Sequence, residues 1–214
     1  MSEYKIVKLD GGHAFSLEGR AMNVSNEPMD HVTFIDQYEI STADLSGFNV
    51  MVVTDFIDQE HLYEHKQVIE NFLNEGKIII ANTHIFRPWL PGSGLFMPKE
   101  IKSHADYVME PAAEGTFYEG VDMMELTYRK GVSGFYARGS HPVVNKESEI
   151  VLQFTDGTPI VFIDRTATKG TVVAASCRDF LTYATGENST QLIAPQFLAW
   201  LDQELLRLKE GSKA

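Results

Sequence analysis

Three short apolar runs each end in residues that can do chemistry. Asp55 follows Val50-Met-Val-Val-Thr54; Asn82, Thr83 and His84 follow Lys77-Ile-Ile-Ile-Ala81; Cys177, Arg178 and Asp179 follow Gly170-Thr-Val-Val-Ala-Ala-Ser176. In open α/β sheets, ligands bind beyond the carboxyl ends of the strands, so these groups are expected on one rim. A histidine there is a candidate general base if a carboxylate orients it, and Asp55 and Asp179 are the candidate carboxylates. Arg87 and Trp89 lie in the segment after His84, where a cation and an aromatic face suit a small anion or a sugar. Asn82, Thr83 and Cys177 complete the candidate ligand contacts. A thiol beside Arg178 is open to activation. Cysteine is also among the most buried residue types, and Ala174-Ala-Ser-Cys177 reads equally as a packed strand end.

A second pattern is His61-Leu-Tyr-Glu64-His65, which has the H-x-x-E-H form of inverted zinc peptidases. Histidines four residues apart share a helix face and could chelate zinc. Against this, His65 falls on the apolar stripe of its helix and is expected to pack on the sheet. His61 is expected to be solvated in the first turn, and no downstream carboxylate supplies a third ligand. No metal site is therefore expected. There is no G-x-G-x-x-G after a strand, no P-loop and no G-x-S-x-G elbow, so no cofactor is expected either. His141 precedes Pro142, which favours extended backbone, and is expected to be a turn residue.

The elements that position these groups follow from pattern. Residues 49–54 and 77–82 are continuous apolar runs, as in strands covered on both faces of a parallel sheet. Between them Asp58 suits an N-cap, and Leu62, Ile69, Phe72 and Leu73 form one helical stripe. Gly76 stands where a left-handed C-cap belongs. Strand, helix and strand in this length make a βαβ unit. Residues 4–9 and 31–36 read as further strands, and residues 13–30 as loop. Thr155-Asp-Gly-Thr158 between two apolar runs is a hairpin signal. Residues 171–176 are another strand, and residues 192–208 form a closing helix with Ile193, Phe197, Trp200, Leu201 and Leu205 on one face. Residues 83–98 form a long irregular segment, a length more often functional than incidental. Residues 99–140 have no clear period. A single α/β domain over residues 1–214 results, with N-terminal strands and loops over 1–47 and a frayed tail over 209–214.

The chain has 214 residues, a formal net charge of -12 and 43% hydrophobic residues, enough for a full core. Such an acidic chain repels phosphate backbones and anionic membranes, so neither nucleic acid nor membrane is an expected partner. One cysteine, no visible secretory signal and no long apolar run lead to the expectation of a cytoplasmic protein.

The strand-turn pieces Leu45-Ser-Gly-Phe-Asn-Val-Met-Val-Val-Thr-Asp55, Asn71-Phe-Leu-Asn-Glu-Gly-Lys77, the dipeptide His141-Pro142 and the run from Asp156 to Ser176 resemble the class I glutamine amidotransferase-like superfamily, including its ThuA-like branch. The resemblance implies a flavodoxin-like three-layer sandwich with a mostly parallel central sheet, here carrying a C-terminal β-hairpin. Catalytic members carry a cysteine on a strand-to-helix elbow and a His-x-Glu pair after a late strand. Here those places hold Ala81-Asn-Thr-His84 and Cys177-Arg-Asp179, so amidotransferase chemistry is not implied. The expectation is a small polar ligand or a protein partner at the strand ends. One alternative is an enzyme on a polar, carbohydrate-like molecule with His84 as base. Another is a structural subunit, a possible homodimer, that makes its contact through residues 83–98. Trp89, Leu90, Leu95, Phe96 and Met97 would form that contact.

Overall fold

The apolar runs become the strands of one sheet. The computed structural model describes residues 4–12, 31–129, 131–184 and 186–211. The expected loop at 13–30 and the last residues of the expected tail, 212–214, lie outside them. In the first half, β1 (Ile6–Asp10), β2 (Val32–Asp36) and β3 (Val50–Val53) are followed by helices α1 (Gln59–Glu64) and α2 (Lys66–Asn74), and then by β4 (Ile78–Asn82). The second half holds the two-residue β5 (Met97–Pro98), β6 (Met109–Pro111), α3 (Met123–Thr127), and the short β7 (Tyr128–Arg129), β8 (Val132–Ser133) and β9 (Gly139–Ser140). It ends with β10 (Glu149–Phe154), β11 (Pro159–Asp164), β12 (Thr171–Ala175) and the long helix α4 (Ile193–Gly211). Lys209 to Gly211, expected to fray, continue that helix.

Eight strands pair in the order β2-β1-β3-β4-β12-β11-β10-β6. Every pairing from β2 to β12 is parallel. From β12 outward the pairings are antiparallel. β10 and β11 are joined by residues 155–158, where Gly157 takes the positive φ (83°) that an L side chain resists.

The period-two alternation of side chains feeds two cores. Val50, Val52, Ile78, Ile80 and Val173 face one that contains Phe197, Leu201 and Leu205 of α4. Met51, Val53, Ile79, Ala81 and Val172 face the other, which contains Leu62 of α1 and Ile69, Phe72 and Leu73 of α2. Helices thus cover both faces of a mostly parallel sheet, a three-layer α/β arrangement. Each fully buried Leu, Ile or Phe contributes roughly 1.5–3 kcal/mol. Glu204, buried in α4, accepts from Arg165, Arg207 and Thr171 and ties that helix to β12.

The connection from β3 to β4 holds one departure from the sequence pattern. Asp58 caps the helix by accepting from the backbone of Glu60 and His61, and Gly76 closes it with φ 77°. Between them the helix breaks at His65, whose φ and ψ are −105° and 20°. The His65 ring nitrogen Nδ1 bonds to the His61 carbonyl at 3.0 Å. His65, expected to pack on the sheet, is only half-buried.

Candidate functional site

Parallel alignment brings the ends of β3, β4 and β12 side by side: Val53 pairs with Ala81, and Ala175 with Asn82. The residues just beyond them form the rim. Asp55 is the hub. Its Oδ2 accepts from Arg178 Nη1 at 3.2 Å, and its negative charge acts on both the His84 imidazole and the Cys177 thiol. Arg178 also lies over the Phe135 ring at 5.4 Å. Beside Asp55, Phe56 is 64% exposed and holds a positive φ of 64°, a strained state for a non-glycine residue.

His84 is half-buried and stacks on Phe96, with ring centroids 3.7 Å apart. Burial lowers its pKa below the ordinary histidine value, and Asp55 partly opposes that. A neutral imidazole is the form that can accept a proton. The backbone beneath it is held by Gln59 of α1, whose side chain donates to the His84 carbonyl and accepts from the backbone N–H of Phe86.

His141, expected at a turn, is buried under this rim. Its Nε2 accepts from the backbone N–H of Ile85 at 3.1 Å, and its ring stands 5.9 Å from Phe96. Burial, together with the nearby His84, pushes its pKa down to about 3. Its Nδ1 finds no hydrogen-bond partner among the described residues, and neither does the Oδ1 of Asn82. Asn82 is buried at the end of β4, and its Nδ2 donates to the Arg178 carbonyl.

Cys177 is buried beside Asn82 and two tyrosines, Tyr136 and Tyr118, whose hydroxyls share a 2.7 Å hydrogen bond. Burial pushes its pKa up to about 12, outweighing the hydrogen bonds offered by Tyr136, Asn82 and Tyr118. The group is a neutral thiol at physiological pH, and a thiol is a poor nucleophile. Folded protein should therefore leave Cys177 unreacted toward a disulfide reagent at about pH 8 and react with one equivalent once urea is added. Rapid reaction before unfolding would contradict this burial.

Not every candidate reaches the rim. Asp179 is 7% exposed, accepts from Lys8 of β1 at 2.7 Å, and caps the next turn by accepting from Leu181 N. Arg87 points outward and pairs with Glu60 of α1, both side chains being about half exposed. Trp89 is 1% exposed in the core under α1 and α2, with its indole N–H donating to Gln59. Thr83 is buried and prolongs the β4–β12 pairing through its N–H to the Ala175 carbonyl. Leu90 is buried like Trp89, so of the five residues expected at an oligomer contact only Leu95 and Met97 are exposed, with Phe96 half-buried. After β4 the chain runs irregularly to β5 with no helix, so no strand-to-helix elbow exists at His84. A separate surface cavity of about 500 Å³ at the β6 edge is lined by residues 111–116 and 118–121, with no histidine, cysteine or arginine among them.

No family model matches the chain, and no curated protein matches it. Solved structures do match. Cytoplasmic protein STM3548 from Salmonella typhimurium is similar at a TM-score of 0.51 and 10% identity, over 79% of this chain and 80% of that one. Cytoplasmic protein STM1381 from Salmonella typhimurium LT2 gives 0.44 and 11%, over 83% and 81%. Exo-beta-1,4-mannosidase Op5Man5 from Opitutaceae bacterium strain TAV5 gives 0.37 and 10%; 96% of this chain spans 34% of that protein. At 10% identity the first likeness speaks to fold alone, and the other two scores are too low to bear on fold or function.

Proposed function

We propose that the chain is an amidotransferase-like α/β domain without cysteine chemistry, and that it binds a small polar ligand on the rim formed by Asp55, His84 and Arg178. The observation that carries this is the convergence of a carboxylate, a neutral imidazole and a guanidinium beyond the ends of three adjacent parallel strands. That is where ligands bind in sheets of this kind. The parallel order β2-β1-β3-β4-β12 supports the flavodoxin-like part of the reading, since it follows the 2-1-3-4-5 pattern. Arg178 offers a fork of donors to a carboxylate or a vicinal diol, and Asp55 offers acceptors to hydroxyls. Phe96, Phe135 and the exposed Phe56 add apolar faces of the sort that seat a sugar ring.

The buried Asn82 Oδ1 and His141 Nδ1 support the same reading, because buried polar groups are normally satisfied by protein, water or ligand. A second reading, an enzyme with His84 as base, is favoured by the charge of Asp55 acting on the imidazole. The net charge of -12 favours small molecules over nucleic acid or membrane surfaces, in a cytoplasmic setting. No helix among the described residues is long and apolar enough to cross a membrane.

The test is a thermal-shift screen of monosaccharides and small hydroxy acids against wild type, Arg178→Ala and Asp55→Ala. A hit should raise the wild-type melting temperature and lose that effect in both variants. Hits that stabilise all three proteins equally would place the ligand elsewhere and end the proposal.

A further inference from the structure

We propose that His61, Glu64 and His65 form a binding site for one divalent transition-metal ion of the zinc type. This departs from the sequence expectation of no metal, because the structure removes two reasons for it. His65 is half-buried rather than in the core, and its ring centroid stands 4.2 Å from that of His61. His61 is not solvated either. It is half-buried against Tyr38, with ring centroids 5.0 Å apart, and its Nε2 is buried without a hydrogen-bond partner among the described residues.

The ligand atoms of all three residues already lie within 4.8 Å of one another. Around a tetrahedral zinc they would need about 3.3–3.5 Å, given bonds of about 2.0–2.1 Å. Glu64 is exposed, so its carboxylate has room to move toward the two imidazoles. The tautomer of His65 is set by its own backbone contact. Nδ1 lies 3.0 Å from the His61 carbonyl, which can only accept, so Nδ1 carries the proton and Nε2 presents its lone pair. A carbonyl on the far nitrogen is the usual second-shell partner of a metal-bound histidine. Two imidazoles and one carboxylate suit zinc, nickel or copper, whereas calcium and magnesium require oxygen ligands. Three protein ligands leave at least one coordination position for water or a ligand.

The experiment uses full-length protein stripped with a chelator and titrated with zinc chloride by calorimetry, alongside His61→Ala, His65→Ala and Glu64→Gln. One zinc per chain is expected. Loss of an outer-shell partner alone weakens metal sites by about 10–100-fold, so loss of either histidine should weaken this one by at least that much. Glu64→Gln lies on the surface and should leave the circular dichroism spectrum unchanged while weakening zinc. It should also alter the visible spectrum of the cobalt(II)-substituted protein. Absence of stoichiometric zinc binding at micromolar protein would overturn the site. Equal zinc affinity in wild type and Glu64→Gln, together with an unchanged cobalt spectrum, would overturn it too, by placing the ion on other histidines of the seven in the chain.

Discussion

Replacing Lys8 with methionine should lower the free energy of unfolding by about 3–5 kcal/mol, measured by urea denaturation. Lys8 sits mid-strand in β1, and its ammonium meets Asp179 Oδ2 at 2.7 Å, with side-chain exposures of 9% and 7%. Methionine keeps the length and the apolar stem of lysine. Among the described residues, it leaves the buried Asp179 carboxylate with only the Leu181 N–H as a donor. Coulomb attraction repays the dehydration of two buried charges only while both are present, so removing one partner costs more than the pair contributes. The double variant Lys8→Met/Asp179→Asn removes both charges while keeping an oxygen to cap the turn, and it should recover a large part of the loss. A single variant within about 1 kcal/mol of wild type would show that the pair is not buried as described. The result also decides what Asp179 is for: a carboxylate committed to Lys8 holds the β12 end against β1 and is not poised to move protons at the rim.

Acid should destabilise the protein through His141. Its folded-state pKa is about 3, against an ordinary value of 6.5, because burial disfavours the imidazolium and His84 stands nearby. The sign follows from proton counting. Between those two values the unfolded chain binds a proton at this site that the native state refuses, so stability falls as pH falls. The contribution is intact above about pH 6.5 and is lost progressively down to about pH 3, on the order of 5 kcal/mol in all. His84, also lowered by burial, adds a smaller loss of the same sign. Urea midpoints measured from pH 7 to pH 4 should therefore drop steeply in wild type and less steeply in His141→Gln, which keeps an acceptor for the Ile85 N–H. Equal slopes in the two proteins would mean that His141 is not held neutral by its surroundings.

Much of the framework is legible in the residues. Runs rich in β-branched residues, such as Val50–Val53 and Ile78–Asn82, have few alternatives to buried strands, and Asp58 and Gly76 mark the helix termini through local hydrogen bonding and backbone freedom. The candidate rim is legible in part. Asp55 and His84 come from the rule that ligands sit at strand ends. The choice of Asp179 over Arg178 fails because β3 and β12 end at Val53 and Ala175, and beyond them turns rather than strand alternation set where side chains point.

Other features depend on contacts distant in sequence. Trp89 becomes core because Gln59, thirty residues earlier, binds its indole N–H. Arg87 is drawn outward by Glu60. His141 lies in a stretch without period and reaches the site through β9, whose partner is the two-residue β5. The break at His65 is invisible to a periodicity argument, which assumes an unbroken helix.

The central claim is that Asp55, His84 and Arg178 form one electrostatically coupled site. It is tested most directly by following the His84 imidazole by NMR through a pH titration, in wild type and in Asp55→Asn. The wild-type pKa should lie below 6.5, and in the variant it should fall further. The carboxylate that favours the imidazolium is gone there, and the Arg178 charge it neutralised is released. A His84 pKa that is unchanged or raised by Asp55→Asn would contradict the account.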